Sequence, residues 1–146
     1  IITPDPRLGD VMVTRFVNNL MLRGKKSLAY RVFYDAMDII KERTGEDPHA
    51  IWKDALNNAT PQVEVRSRRI GGATFQIPTE IPGNRKLSIG MKWIIRFARL
   101  RNGKGMAEKL AAELIAASKG EGAAVKRRED THRMAEANRA FAHFRT

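Results

Sequence analysis

The chain has no cysteine among its 146 residues. That excludes disulfides, thiolate metal sites and cysteine nucleophiles, and it fits a reducing compartment. No apolar run approaches the length of a membrane span, and no signal peptide precedes the first expected helix, so an intracellular, non-membrane location is expected. The sequence opens on Ile1 rather than Met, which implies residues ahead of it. Histidine is scarce as well. His49, His132 and His143 are scattered without partners at metal-ligand spacing, so they read as capping or surface groups, and no metal, cofactor or catalytic role is expected.

Acidic residues are missing where basic ones gather. Lys and Arg number 27 against 16 Asp and Glu, a net charge of +11, which draws a chain toward polyanions. Residues 25–62 carry six charges of each sign. Residues 63–104 instead carry ten basic side chains and two acidic ones, Glu64 and Glu80, a net +8. A neutral half thus adjoins a cationic half, which points to nucleic acid as partner.

The run from 63 to 81 holds two β-prone segments joined at Gly71-Gly72, the pattern of a hairpin with a two-residue turn. That turn sets Arg68 opposite Phe75, Arg66 opposite Ile77 and Arg69 opposite Thr74. Arginines then fall on both faces. Burying an unpaired guanidinium costs several kcal/mol, so neither face is expected to pack dry and the ribbon reads as a projecting arm.

The remainder reads as helices. Asp10 caps a first helix with Val13, Phe16, Val17 and Leu20 inward and Gly24 closing it. Ser27 starts a second, striped by Leu28, Val32, Phe33, Ala36 and Ile40 and stopped by Gly45. Asp47-Pro48 opens a short third with Ile51, Trp52, Ala55 and Leu56 inward. Beyond the hairpin, a fourth helix is expected from about Leu87 to Leu100, with Met91, Ile94, Ile95 and Ala98 on one side and Lys92, Arg96 and Arg99 on another. A fifth, Met106–Lys119, buries Leu110, Leu114 and Ile115. Gly120-Glu121-Gly122 breaks it, and a last helix runs from Asp130 to Phe144 with Met134, Ala137, Phe141 and Phe144 on one face. The expected fold is mainly α: a compact bundle of about six helices, one domain over residues 1–146, with a two-stranded β-ribbon arm inserted between helices three and four.

The basic stripe of the fourth helix follows directly on the arginine-rich ribbon, so the two should form one continuous surface. Gly24-Lys25-Lys26-Ser27 is not a phosphate-binding loop, since Asn19 stands where such a loop needs glycine and a helix precedes it. Lys25 and Lys26 can still meet a phosphate as cations at a helix start. Asp35, Asp38 and Glu42 share a face but read as a wet helix surface, and Trp93 and Phe97 read as the edge of the core. An architectural DNA-binding protein using a basic ribbon is the alternative reading.

Three stretches carry a resemblance. Glu64–Pro78 (EVRSRRIGGATFQIP), Gly24-Lys25-Lys26, and Gly122–Arg145 (GAAVKRREDTHRMAEANRAFAHFR) resemble the bacterial form of the small-subunit ribosomal protein seven family, in order along the whole chain. The resemblance implies a structural, cytoplasmic ribosomal protein that binds the three-prime major domain of small-subunit ribosomal RNA and organises head assembly. It would lie as a monomer near exit-site tRNA and the messenger path, beside small-subunit proteins nine and eleven. Carried onto this sequence, RNA contacts fall to Lys25, Lys26, Arg66, Arg68, Arg69, Arg85, Lys86, Lys92, Arg96, Arg99 and Arg101. The tRNA and messenger side takes Gly71, Gly72, Arg139, His143 and Arg145. The family's N-terminal basic arm is largely absent before Pro4, and the chain ends Phe144-Arg145-Thr146 where members commonly end in an aromatic, arginine and tryptophan.

Overall fold

A computed structural model describes residues 2–144, with side chains as far as Phe141. In chain order it comprises α1 (Val11–Leu20), α2 (Lys26–Thr44), α3 (Pro48–Ala59), β1 (Val63–Ile70), β2 (Ala73–Glu80), α4 (Gly83–Arg99), α5 (Met106–Ser118), α6 (Ala123–Ala137) and a closing 3-10 helix, Arg139–Phe144. The expected fold class is thus the observed one.

Local caps start α1 and α3. The Asp10 carboxylate accepts the Met12 amide at 2.8 Å, and Asp47 accepts the His49 amide at 3.1 Å ahead of Pro48. Phe16, Phe33 and Trp52, one from each of the first three helices, meet at ring separations of 5.6 to 5.9 Å, both Trp52 contacts being edge-on. Helix α5 lies at the centre, in contact with α2, α3, α4 and α6. Gly90 on α4 makes a close approach to the end of α3 possible: a Cβ there would stand 2.6 Å from Thr60 Oγ1.

Several boundaries differ from the sequence reading. Helix α1 stops at Leu20, and Gly24 instead shapes the following turn together with Arg23, both at positive φ. Helix α2 begins at Lys26, and its buried face is Ala29, Phe33, Ala36, Met37 and Ile40. Leu28 is exposed and Val32 only half-buried, because the inward stripe is turned by one position. Helix α4 begins at Gly83, four residues early, with Pro82 supplying the extended residue ahead of it.

The largest shift is in α6, which starts at Ala123 rather than Asp130. Its first turn is satisfied from another helix: Glu113 on α5 accepts the Ala124 amide at 3.2 Å. Its buried residues are Ala124, Val125 and Ala135, whereas Met134 and Ala137 are exposed. Phe141 lies in the 3-10 helix with its ring 4.8 Å from that of Phe75. The Phe144 side chain lies outside the described residues.

The ribbon has the expected register, Arg66↔Ile77, Arg68↔Phe75 and Arg69↔Thr74. Gly71 and Gly72 both sit at positive φ, 58° and 85°, as a tight two-residue turn demands. It is not a free arm along its whole length, however. Helix α6 lies against both strands and the 3-10 helix against β2, so Ile77 is buried across from an exposed Arg66. The root of one face is packed; the tip, residues 66–69 and 71–74, is in water.

At that root, the Gln62 amide donates to Nε2 of His132 on α6 at 3.0 Å. Burial, with Arg128 nearby, holds the His132 pKa below its ordinary 6.5. Below pH 6.5 the unfolded chain then takes up a proton that the folded chain refuses, so stability is whole above that pH and is lost as pH falls toward the lowered pKa. Thermal melts across this interval should show the loss, and His132→Gln should flatten it; an unchanged slope in the variant would remove His132 as the cause. In the core, Leu114→Ala should cost roughly 2–5 kcal/mol in denaturant unfolding, since Leu114 is fully buried.

Candidate nucleic-acid interface

The ribbon and α4 are tied together by Glu64. Glu64 on β1 receives Arg66 at Oε1 (3.0 Å) and Arg85 of α4 at Oε2 (2.9 Å). Lys86 reaches the Gln62 side chain at 2.9 Å. Ribbon and helix therefore share a root made of cations held at fixed separation. Arg66, Arg68 and Arg69 are exposed on β1, and Lys92, Arg96 and Arg99 are exposed on α4, where spacings of four and three put them on one side.

Arg96 lies over the Phe97 ring at 5.7 Å. Arg99 donates to the Leu20 carbonyl at 3.1 Å, which anchors it to the end of α1. Its neighbour there is Lys25: both line a groove of about 450 Å³ with an apolar floor that includes Leu20, Leu28 and Met106. Lys25 caps α2 and Lys26 is its first residue, with no side chain closing the helix start. Both are exposed, and the free amides of that turn add partial positive charge.

Arg101 is used differently from the other arginines. Its Nε donates to the buried Glu113 at 2.8 Å, so its guanidinium is held inside the protein's own ion pair. The sequence hides this because the partner lies twelve positions on, in a different helix.

On the tip side, Arg139 is exposed and pairs with Glu136 at 3.2 Å. The Phe75–Phe141 contact sets the 3-10 helix beside the ribbon that ends in Gly71 and Gly72. The His143 side chain and Arg145 lie outside the described residues.

Two cations belong to this surface that sequence reasoning passed over. Arg127 of α6 lies over the Trp93 ring at 5.7 Å, and Arg23 lines the groove beside Lys25 and Arg99. Arg23 was within reach, since it is adjacent to Gly24-Lys25-Lys26; Arg127 needed the packing of α6 on α4. The histidines hold structural positions where described. His49 bonds the second oxygen of Asp10 at 2.8 Å and stacks on Trp52, and His132 latches the ribbon root. Among the described residues no cluster could hold a metal ion, and no helix is long and apolar enough to cross a membrane.

Comparison with known proteins fits this geometry. The family model described as ribosomal protein S7p/S5e matches residues 1–139. A small ribosomal subunit protein uS7 from Cytophaga hutchinsonii is 62% identical over 142 residues, covering 97% of this chain and 92% of the relative. That of Porphyromonas gingivalis is 62% identical over 147 residues, covering 99% and 93%. One from Salinibacter ruber is 58% identical over 142 residues, covering 97% and 90%. The chain belongs to the ribosomal protein S7p/S5e family, whose members are non-enzymatic components of the ribosome.

Proposed function

We propose that this chain is a single-domain structural constituent of the bacterial small ribosomal subunit that binds the three-prime major domain of its ribosomal RNA and organises the head. The observation that carries the reading is the shared root of ribbon and α4, where Glu64 holds Arg66 and Arg85 within one network. Cations so arranged suit phosphates along a folded backbone. A-form RNA has a deep, narrow major groove closed to side chains, so recognition rests on shape and phosphate contacts, with Lys25, Lys26, Arg68, Arg69, Lys92, Arg96 and Arg99 as further contacts.

The tRNA and messenger side of the proposal takes the ribbon tip and the 3-10 helix. Their Phe75–Phe141 contact supports treating them as one edge. Small-subunit proteins nine and eleven are the proposed neighbours, in the cytoplasmic ribosome. A freely inserting DNA-binding arm fits less well, because the root of the ribbon is packed under α6.

A tagged copy expressed in a related bacterium should stay with the small subunit through a high-salt gradient; release into the free-protein fractions would count against membership. Affinity for a fragment of the three-prime major domain should fall by about three to five orders of magnitude over a fourfold rise in salt, given roughly six to ten phosphate contacts. Near-constant affinity would refute an electrostatic interface.

Replacing Arg66, Arg68 and Arg69 by Gln should weaken RNA binding and shallow the salt slope while changing stability by less than about 0.5 kcal/mol per site. Glu64 keeps Arg85 in that variant. A melt far below the parent without RNA would show that the arginines serve folding instead.

A further inference from the structure

A cavity of about 240 Å³ lies where α1 packs against the first half of α4, apart from the basic stripe. Met12, Leu87 and Met91 give it apolar walls, and Asn18, Asn84 and Ser88 contribute polar edges. Asn18 and Asn84 are exposed and Ser88 half-buried. Among the described residues none of these three side chains has a hydrogen-bond partner.

Asn19 lines the same cavity. Its amide nitrogen is spent on the Arg15 carbonyl at 3.1 Å and the Met91 sulfur at 3.7 Å, which leaves its oxygen to accept. Ile2 and Arg15 also line it, and the Arg15 Nε is buried with no hydrogen-bond partner among the described residues. An orphaned buried donor calls for a ligand or water that satisfies it.

The chemistry discriminates between parts of a nucleic acid. The single cation here is outnumbered by apolar side chains, Ile2, Met12, Leu87 and Met91, which would strip water from a phosphate without replacing it, so the cavity suits a flat, largely apolar group better. Thioethers and a leucine suit a flat aromatic face, while amides and a hydroxyl, each donor and acceptor, suit the edge of a base. Asn84 also directly precedes Arg85 and Lys86, so a backbone tracked by those cations passes within reach.

We infer that this cavity receives one unstacked base of the bound RNA, its face against Met12, Leu87 and Met91 and its edge on Asn18, Asn84 and Ser88. The inference rests on the reading of the chain as an RNA-binding protein. It adds a base contact to an interface otherwise built on phosphates.

The test is a double-mutant cycle between protein and RNA. The triple variant Asn18→Ala/Asn84→Ala/Ser88→Ala should bind a three-prime major domain fragment roughly tenfold more weakly, the loss of about one base contact. Its affinity for a fully paired RNA duplex, its salt slope and its melting temperature should stay those of the parent. Abasic substitution of each unpaired nucleotide in turn should find one position that costs the parent a similar factor and costs the variant nothing further.

A variant that binds the fragment as the parent does overturns the base site. So does a parallel loss on duplex, or the absence of any coupled nucleotide, which would leave the cavity to a protein neighbour. If the parent itself did not prefer the fragment to the duplex, the RNA reading would fall and the base site with it.

Discussion

Glu113 is completely buried on the central helix, and its two oxygens serve different parts of the chain. Oε1 accepts Arg101 just past the end of α4, and Oε2 accepts the Ala124 amide in the first turn of α6. Removing a carboxylate from water carries a desolvation cost of several kcal/mol, so the stability gained is modest and the gain lies in geometry. Gly122 takes part by lacking a side chain: a Cβ would stand 3.0 Å from Oε2. With its start fixed, α6 covers the root of the ribbon and leads into the 3-10 helix that holds Phe75 through Phe141. The direction in which the ribbon leaves the bundle thus traces back to one acid fourteen residues beyond the end of α4.

What could be read beforehand was local. Asp10, Asp47-Pro48 and Gly71-Gly72 act on their immediate neighbours, so the starts of α1 and α3 and the register of the hairpin were legible from a few residues each. The start of α6 was not, because the Ala124 amide in its first turn is satisfied from α5. The packed ribbon root was hidden for the same reason, since its cover lies some 60 positions downstream. For the interface, helical spacing sufficed to expose Lys92 and Arg96, but Arg101 looked like another free cation until Glu113 was placed beside it. The cavity between α1 and α4 is a product of two helices meeting and leaves no trace in either alone.

Scarcity gives Glu64 its importance. Exposed ion pairs are worth only about 0–1 kcal/mol, and neither of its arginines is held for stability's sake. Without an anion between them, however, the guanidinium groups of Arg66 and Arg85 would repel across the junction of ribbon and helix. The carboxylate fixes their spacing before any polyanion arrives, so less rotamer freedom is left to lose when one does.

Asp5 and Asp10 form a relay at the other end of the molecule. Asp5 is buried and accepts the amides of Leu8 and Asp10, each at 2.7 Å, and the Tyr34 hydroxyl of α2 at 2.8 Å. Burial alone would raise its pKa, but these donors together bring it below the usual value. Burial and the Asp5 contact push Tyr34 up to about 12. Asp10 in turn caps α1 with one oxygen and holds His49 of α3 with the other. The cap of α1 is therefore also a bond between helices, and fraying of that first turn would cost α3 its contact as well. Amides at positions 8, 10 and 12 are thereby bound into one cooperative opening unit of the kind that hydrogen exchange resolves, rather than the independently fluctuating end of a chain.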